Sequence, residues 1–362
     1  MKLRAVPSPL GIFVVSSLML AGTPIQAQNA VQNAAQPASS SPSSAAAPAP
    51  AAAAAPAREL PIWAYPVNQR PPRPADGAAR PAPPPAAPTL LTEPDSKTPG
   101  MTRQQINDIF MVPDWYPEAH PAMPPIVAVG RKPDVGACGH CHLPTGYGRP
   151  ENQSIAGLPA AYMAQQISDF KNDLRKSSEP RMNSVALMAR YTKSMTPEEI
   201  KVASEYFAAI KPVKWIRVVE ADTVPKSHPA GGMMVADEGT EPIGERVIEV
   251  SENYEQTEMR STKSGFVAYV PKGSLKRGED LVKTGGNGET MACIMCHGPN
   301  LKGVGNVPSI AGRSPSQMTR QLIDFQTGAR NGAAGAMMKM PVAKLTNADI
   351  VAITGYLASL EP

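Results

Sequence analysis

The chain has 362 residues, 41 of them proline, and a formal net charge of +4 at pH 7. Lys2 and Arg4 supply two of those charges within the first 27 residues, which contain no acid, so the remainder is near +2. So small a net charge argues against a nucleic-acid-binding protein, which usually carries a strong basic patch.

Residues 1–27 have the layout of a secretory signal peptide: a basic start, an apolar run from Leu10 to Ala21 and a small residue at Ala27. The apolar run is shorter than the roughly 20 residues that cross a bilayer. We therefore expect cleavage and export to the periplasm rather than a retained membrane anchor. The segment has no cysteine, which excludes acylation at a lipoprotein-type cysteine.

Residues 28–100 are rich in alanine, proline and serine and contain 17 of the 41 prolines. Proline removes backbone donors and alanine offers little surface to bury, so this composition predicts a disordered linker without a core. One aromatic segment interrupts it, ELPIWAYPVN, with Trp63 and Tyr65. This segment is a candidate to dock on a folded domain.

The cysteines carry the clearest chemical signal. The chain has four, in two Cys-x-x-Cys pairs that are each followed directly by a histidine: Cys138, Cys141 and His142, and Cys293, Cys296 and His297. This spacing is the attachment signature of c-type haem, in which two thioethers fix the porphyrin and the histidine becomes an axial ligand of the iron. His140 fills a variable position of the first motif.

Two other uses of such cysteines fit less well. A zinc site requires four Cys or His ligands from one neighbourhood. A thioredoxin-like redox pair requires a surrounding βαβ pattern, which the sequence does not show.

The chain around the motifs is repeated. Adding 155 to the residue number carries the first motif onto the second, SIAG at 154–157 onto SIAG at 309–312, and Phe170 onto Phe325. After a loss of five residues, residues 195–208 map onto 345–358 and Tyr206 onto Tyr356. A repeat this consistent indicates two homologous domains.

Each copy has a helical pattern. Apolar residues at helical spacing predict helices over 158–174 and 314–329, and Thr196 and Thr346 begin capping boxes for the closing helices. The second copy has a leading helix at 274–285. Residues 124–137, at the matching place in the first copy, are too rich in proline and glycine, so residues 102–110 are the candidate for that helix.

The sixth ligand of each iron is predicted to be a methionine, because His120 and His228 lie outside both repeats. Met188 and Met338 occupy the same repeat position, which favours them. Methionine also fills core gaps, and the chain has 18. Met182 in the first copy, and Met337 and Met340 in the second, stay open as alternatives.

With these motifs, over roughly residues 120–215 and 270–362, the sequence resembles the tandem-domain dihaem class I cytochromes c, soluble electron carriers of the bacterial periplasm. The resemblance implies two covalent haem c groups, each in a small helical domain with His/Met ligation, which raises the reduction potential. In that family a proline carbonyl often accepts a hydrogen bond from the ligating histidine. Pro308 fits this pattern, whereas the first copy has Gln153.

The predicted fold is therefore mainly α: two class I cytochrome c-like domains, 101–214 and 272–362, after the signal peptide and the linker. Between them, residues 215–271 contain short β-branched runs that predict strands of a small insert. This insert could space the haems, cover a haem edge or recognise a partner.

The predicted function is a periplasmic carrier of single electrons between redox partner proteins, from a donor dehydrogenase or quinol-oxidising complex to a terminal oxidase or reductase. Such a carrier has no substrate of its own. One alternative is a peroxidase-like dihaem enzyme with an open iron. Another is a cytochrome subunit of a membrane-associated dehydrogenase complex, although membrane tethering is not favoured.

Overall fold

The computed structural model describes residues 60–67 and 89–362. The predicted signal peptide, and the predicted linker apart from 60–67 and 89–100, lie outside these residues. Within the described part, no helix has the length and apolar character needed to span a membrane.

The first half of the described chain is helical, and α4 packs on both α5 and α6. Its helices are α1 Arg103–Ile106, α2 Pro125–Ala128, α3 Cys138–His142, α4 Ala160–Lys171, α5 Asn183–Ser194 and α6 Pro197–Ala208. The capping box predicted at the start of α6 is present, with Thr196 Oγ1 accepting from Glu199 N at 3.2 Å. The core of this half is built around Leu158, Met163 and Phe207.

The second half repeats this arrangement after an intervening helix. Its helices are α7 Tyr254–Glu258, α8 Ser274–Thr284, α9 Ile294–His297, α10 Pro315–Thr327, α11 Ala336–Val342 and α12 Asn347–Ser359. α8 is the predicted leading helix. It crosses α12 so closely that a Cβ on Gly278 would lie 2.0 Å from the carbonyl oxygen of Ala352, so only glycine fits the crossing.

The leading helix of the first half is not where the sequence places it. α1, within the candidate segment 102–110, is only four residues long and buries Ile106 beside Trp115 and Met259, away from α6. Instead α2 contacts both α3 and α6. Proline is compatible with such a short helix because Pro125 lies at its first turn, where the missing N–H has no intrahelical partner.

Seven strands accompany these helices in the described part of the chain. They are β1 Leu90–Leu91, β2 Met101–Thr102, β3 Ile216–Glu220, β4 Thr223–Ala230, β5 Met233–Pro242, β6 Ile248–Ser251 and β7 Phe266–Val270. β7 is the central strand of a three-stranded sheet, parallel to β3 and antiparallel to β6. β4 and β5 form an antiparallel hairpin. Val270 at the end of β7 packs on Val351 of α12, which anchors the sheet to the second half.

Two parts of the predicted disordered linker 28–100 are ordered, which corrects that expectation. Residues 60–67 contain a 3-10 turn, Ile62–Ala64, and bury Ala64 and Tyr65 in the core of the second half. Residues 89–100 pair through β1 with β2, and the buried carboxylate of Glu93 accepts a hydrogen bond from Ser261 Oγ at 3.0 Å. Aromatic burial and hydrogen bonds to one oxygen of the Glu93 carboxylate hold segments that composition alone predicts to be unfolded.

The two halves meet through a pair of backbone hydrogen bonds related by the sequence repeat. Lys176 N donates to Ala329 O at 2.8 Å, and Asn331 N donates to Leu174 O at 2.7 Å. Each residue of one bond is 155 positions from its counterpart in the other. The halves are therefore related by an approximate two-fold axis at this seam.

Candidate haem sites

The first motif forms α3, which places His142 against the core. Its Nδ1 lies 2.9 Å from the backbone carbonyl oxygen of Gln153, and its ring meets Phe207 edge-on at a centroid distance of 6.1 Å. A carbonyl oxygen can only accept, so Nδ1 carries the proton and Nε2 keeps its lone pair. Burial lowers the pKa of His142, which also favours the neutral ring. The imidazole is thus prepared to ligate a metal through Nε2.

The second motif has the same geometry in α9. His297 is 8% exposed, and its Nδ1 lies 2.9 Å from Pro308 O. Burial lowers its pKa as well. Both motif histidines therefore have a carbonyl partner, Gln153 in the first half and Pro308 in the second. The hydrogen bond uses a backbone oxygen, so it does not require proline at this position.

A cavity of about 950 Å³ adjoins the first motif. Cys138, Cys141, His142 and Met188 line it, together with apolar side chains such as Phe170. Burial raises the pKa of the Cys138 thiol to about 12, so this thiol is not a thiolate nucleophile at neutral pH. An apolar cavity with two thiols at one edge and a neutral histidine fits a c-type haem.

A zinc site is not supported. Within residues 60–67 and 89–362, no group of three or more His, Cys, Asp or Glu side chains is arranged to hold a metal ion.

The candidate axial methionines differ in exposure. Met188, on α5, is half-buried and lines the cavity, whereas its rival Met182 also lines the cavity but is buried in the core of the second half. Met338, on α11, is half-buried and packs in the same core as Cys293 and Ile294. Its rivals Met337 and Met340 are each 70% exposed.

Two histidines outside the ligand set have structural partners. His140, expected only to fill a variable position, is 2% exposed, with its Nδ1 3.0 Å from Met111 O. Burial and the charge of Arg260 lower its pKa to about 4, so it is neutral. His120 Nε2 lies 3.0 Å from Asp114 Oδ1, and its Nδ1 lies 3.2 Å from the hydroxyl of Tyr206.

Buried cations at the seam were not anticipated from the sequence. Arg175 and Arg330 are 7% and 8% exposed, and each guanidinium lies over a phenylalanine ring of its own half. Neither forms an ion pair with a carboxylate of the described residues. Burial and the charge of Arg330 lower the pKa of Arg175 to about 9. The signal was available, because the shift of 155 that relates the motifs also carries Arg175 onto Arg330.

The family described as cytochrome c matches residues 276–361. The thiosulfate dehydrogenase electron acceptor of Thiomonas intermedia is 23% identical over 63% of this chain and 80% of its own length. Cytochrome c4 of Azotobacter vinelandii is 32% identical over 36% of this chain and 67% of its own length. The crystal structure of cytochrome c4 from Pseudomonas stutzeri, at 22% identity, covers 62% of this chain and 93% of that one with a TM-score of 0.40. The chain belongs to the tandem-domain class I cytochromes c, electron-transfer proteins with covalently bound haem c.

Proposed function

We propose that the protein is a periplasmic dihaem carrier of single electrons. The observation that supports this most is the repetition of a whole site: a Cys-x-x-Cys-His motif, a histidine hydrogen-bonded to a backbone carbonyl, and a half-buried methionine at the same repeat position. Both copies contain all three parts. A haem enzyme needs an iron with an open coordination site, so one of its two copies would be expected to lack the methionine.

The proposed attachment residues are Cys138 and Cys141 in the first half, and Cys293 and Cys296 in the second. His142 and His297 would ligate the iron from the motifs, and Met188 and Met338 are the proposed second protein ligands in the two halves. Haem supplies an iron that changes valence by one electron. The chain would hold the ring, supply the protein ligands of the iron and exclude water from it.

The seam supports two haems rather than one. Arg175 lines the cavity, and among the described residues its guanidinium forms no ion pair within 4 Å, although Asp324 and Asp169 act on its charge from farther away. Burying a cation without a directly contacting anion is costly, and the propionate carboxylates of a haem are anions that such a site would fit. Arg330 is the counterpart of Arg175 by the repeat, so each half would contribute one such cation.

The proposed domains are a signal peptide at 1–27, a linker at 28–100 with two docked segments, haem domains at 101–214 and 272–362, and a connecting insert at 215–271. The proposed donor is a dehydrogenase. A relative named as the electron acceptor of thiosulfate dehydrogenase supports a donor of this class. The proposed acceptor is a terminal oxidase or reductase.

The test is a haem count and an optical spectrum of the exported protein. We expect two haems per chain by pyridine haemochrome, both low-spin in the oxidised form. The double variant Cys293→Ser/Cys296→Ser should keep one haem, and Cys138→Ser/Cys141→Ser should keep the other. One haem in the unaltered protein would contradict the proposal, and a high-spin component would favour the peroxidase-like enzyme.

A further inference from the structure

The second haem site carries exposed apolar side chains. Met295 lies between its two motif cysteines, and Met337 and Met340 flank Met338; all three are 70% exposed. Val304, in the loop after the motif, is 59% exposed. These four residues are called the methionine patch below. All four belong to the two segments of the second copy that carry the haem motif and the proposed methionine ligand. Large exposed apolar side chains concentrated in such segments favour an interaction surface more than scattered single residues do.

The first haem site is covered at two of the corresponding positions. His140 corresponds to Met295, and its carbonyl oxygen accepts a hydrogen bond from Arg260 Nη1 at 2.9 Å. Arg149 corresponds to Val304, and its Nη1 donates to Thr257 O at 3.3 Å. Thr257 and Arg260 belong to the insert, at α7 and just after it. The insert therefore screens the first site at positions that the second site leaves open to solvent.

The surroundings of the methionine patch are positively charged. Residues 290–348 contain a single acid, Asp324, which is 3% exposed. Lys302, Lys339 and Lys344 in the same range are exposed, and none forms an ion pair with a described residue. The corresponding residues of the first half are Tyr147, Ala189 and Ser194, so these three lysines belong to the second half alone.

We propose that the methionine patch and its three lysines form the docking surface for a redox protein whose own contact face is acidic. This inference rests on the proposed function, since it places the contact between the electron carrier and its redox partners at the second haem site. Methionine is enriched at protein interfaces because its flexible side chain adapts to different partners. Rim lysines would attract an acidic face and speed association. The insert, by covering the first site, directs such partners to the second.

The test uses holoprotein in which two haems have been counted, labelled with 13C at the methionine methyl groups. The probe is hexacyanochromate(III), a paramagnetic trianion that broadens nearby resonances without accepting an electron from the protein. We expect broadening of Met295, Met337 and Met340 at low ionic strength, assigned by single Met→Leu variants. The triple variant K302E/K339E/K344E should weaken the broadening on the order of tenfold.

The triple variant K97E/K211E/K276E is the matched control, because it changes the charge equally at exposed lysines outside residues 290–348. It should leave broadening of the patch methionines within about twofold of the unaltered protein. Equal loss in both triple variants, or broadening spread over all exposed methionines, would overturn the proposal. Line broadening that grows with protein concentration alone would also overturn it, because the patch would then bind a second copy of the chain. Broadening by anionic phosphatidylglycerol vesicles, without broadening by the trianion, would overturn it as well. A haem count other than two would instead refute the proposed function, before any titration.

Discussion

Arg175 and Arg330 share two amide acceptors, the side-chain oxygens of Gln166 and Gln321, and Arg175 also donates to Gln153 Oε1 at 3.1 Å. Arg175 donates to Gln166 Oε1 at 3.1 Å and to Gln321 Oε1 at 3.0 Å. Arg330 donates to the same two oxygens, at 2.7 Å and 3.0 Å. Gln166 and Gln321 are themselves related by the shift of 155. Two residues from each repeat thus form a closed hydrogen-bonded ring across the seam, which sets how the two halves of the described chain face each other.

Arg175→Gln and Arg330→Gln should each lower the free energy of unfolding by about 1–3 kcal/mol, because each leaves buried amide oxygens with fewer donors. In each single variant the two shared oxygens keep the other arginine as a donor, whereas the double variant removes both, so it should lose more than the sum of the single losses. Denaturant unfolding of the holoprotein measures all three. Arg217→Gln, which removes an exposed pair with Glu252, is the control and should change stability by less than about 0.5 kcal/mol. Strict additivity of the two seam variants would contradict the shared ring.

The segment 60–67 provides a matched pair of substitutions three positions apart. Tyr65 is 2% exposed and Ile62 is 77% exposed. Tyr65→Ala should lower the free energy of unfolding by about 3–5 kcal/mol through loss of aromatic burial and the cavity left behind. Ile62→Ala should have an effect of less than about 0.5 kcal/mol. Thermal unfolding followed at the haem absorption would distinguish them. Equal effects would mean that the segment does not dock in solution.

The ring and the docked segment show where sequence reasoning succeeds and where it does not. The closing helices were predictable because capping and periodicity are local. The spacing of Cys138 and His142 is a local signal too, and their role in haem attachment stays a prediction. The partnership of Arg175 with Gln321 is a contact over 146 positions, and only the internal repeat hinted at it. Tyr65 stands in a segment whose composition predicts disorder, and its burial depends on a groove that distant residues build.

The predicted position of the leading helix in the first half was wrong for a related reason. The sequence makes residues 102–110 the candidate because residues 124–137 are rich in proline and glycine. The position of the helix depends instead on which segment reaches α6, and α2 lies closer along the chain to the haem motif. A short helix beginning at Pro125 satisfies that packing despite its poor propensity. Tertiary contact outweighs local preference when a helix is only one turn long.

Glu249 should make stability depend on pH. Its side chain is 1% exposed, and burial raises the pKa of its carboxyl group. The Oε2 atom accepts hydrogen bonds from Ser314 Oγ at 2.7 Å and from Ser316 N at 3.1 Å. A carboxyl whose pKa is higher in the folded state stabilises the fold when protonated, and this contribution is lost as pH rises from about 4.5 through the raised folded value. Glu249→Gln keeps an acceptor for Ser314 and should remove that loss. Unfolding free energies compared from pH 4 to pH 8 (roughly the range of carboxyl titration) test this. A variant that is equally destabilised at every pH would show that the carboxylate itself is needed.

The methionine ligands give the most direct test of the proposed sites. Met338→Ala should remove the weak red charge-transfer band of Met-ligated ferric haem from one of two haems, so that about half of the band's intensity persists. Met337→Ala and Met340→Ala should leave the band unchanged. Both rivals are 70% exposed, so their removal should also leave stability within about 0.5 kcal/mol. Met188→Ala should remove the other half of the band. Met182→Ala should lower stability through its buried packing and keep the band. If Met337→Ala or Met340→Ala halved the band while Met338→Ala did not, the ligand of the second haem would have to be reassigned and α11 would have to rotate on haem binding.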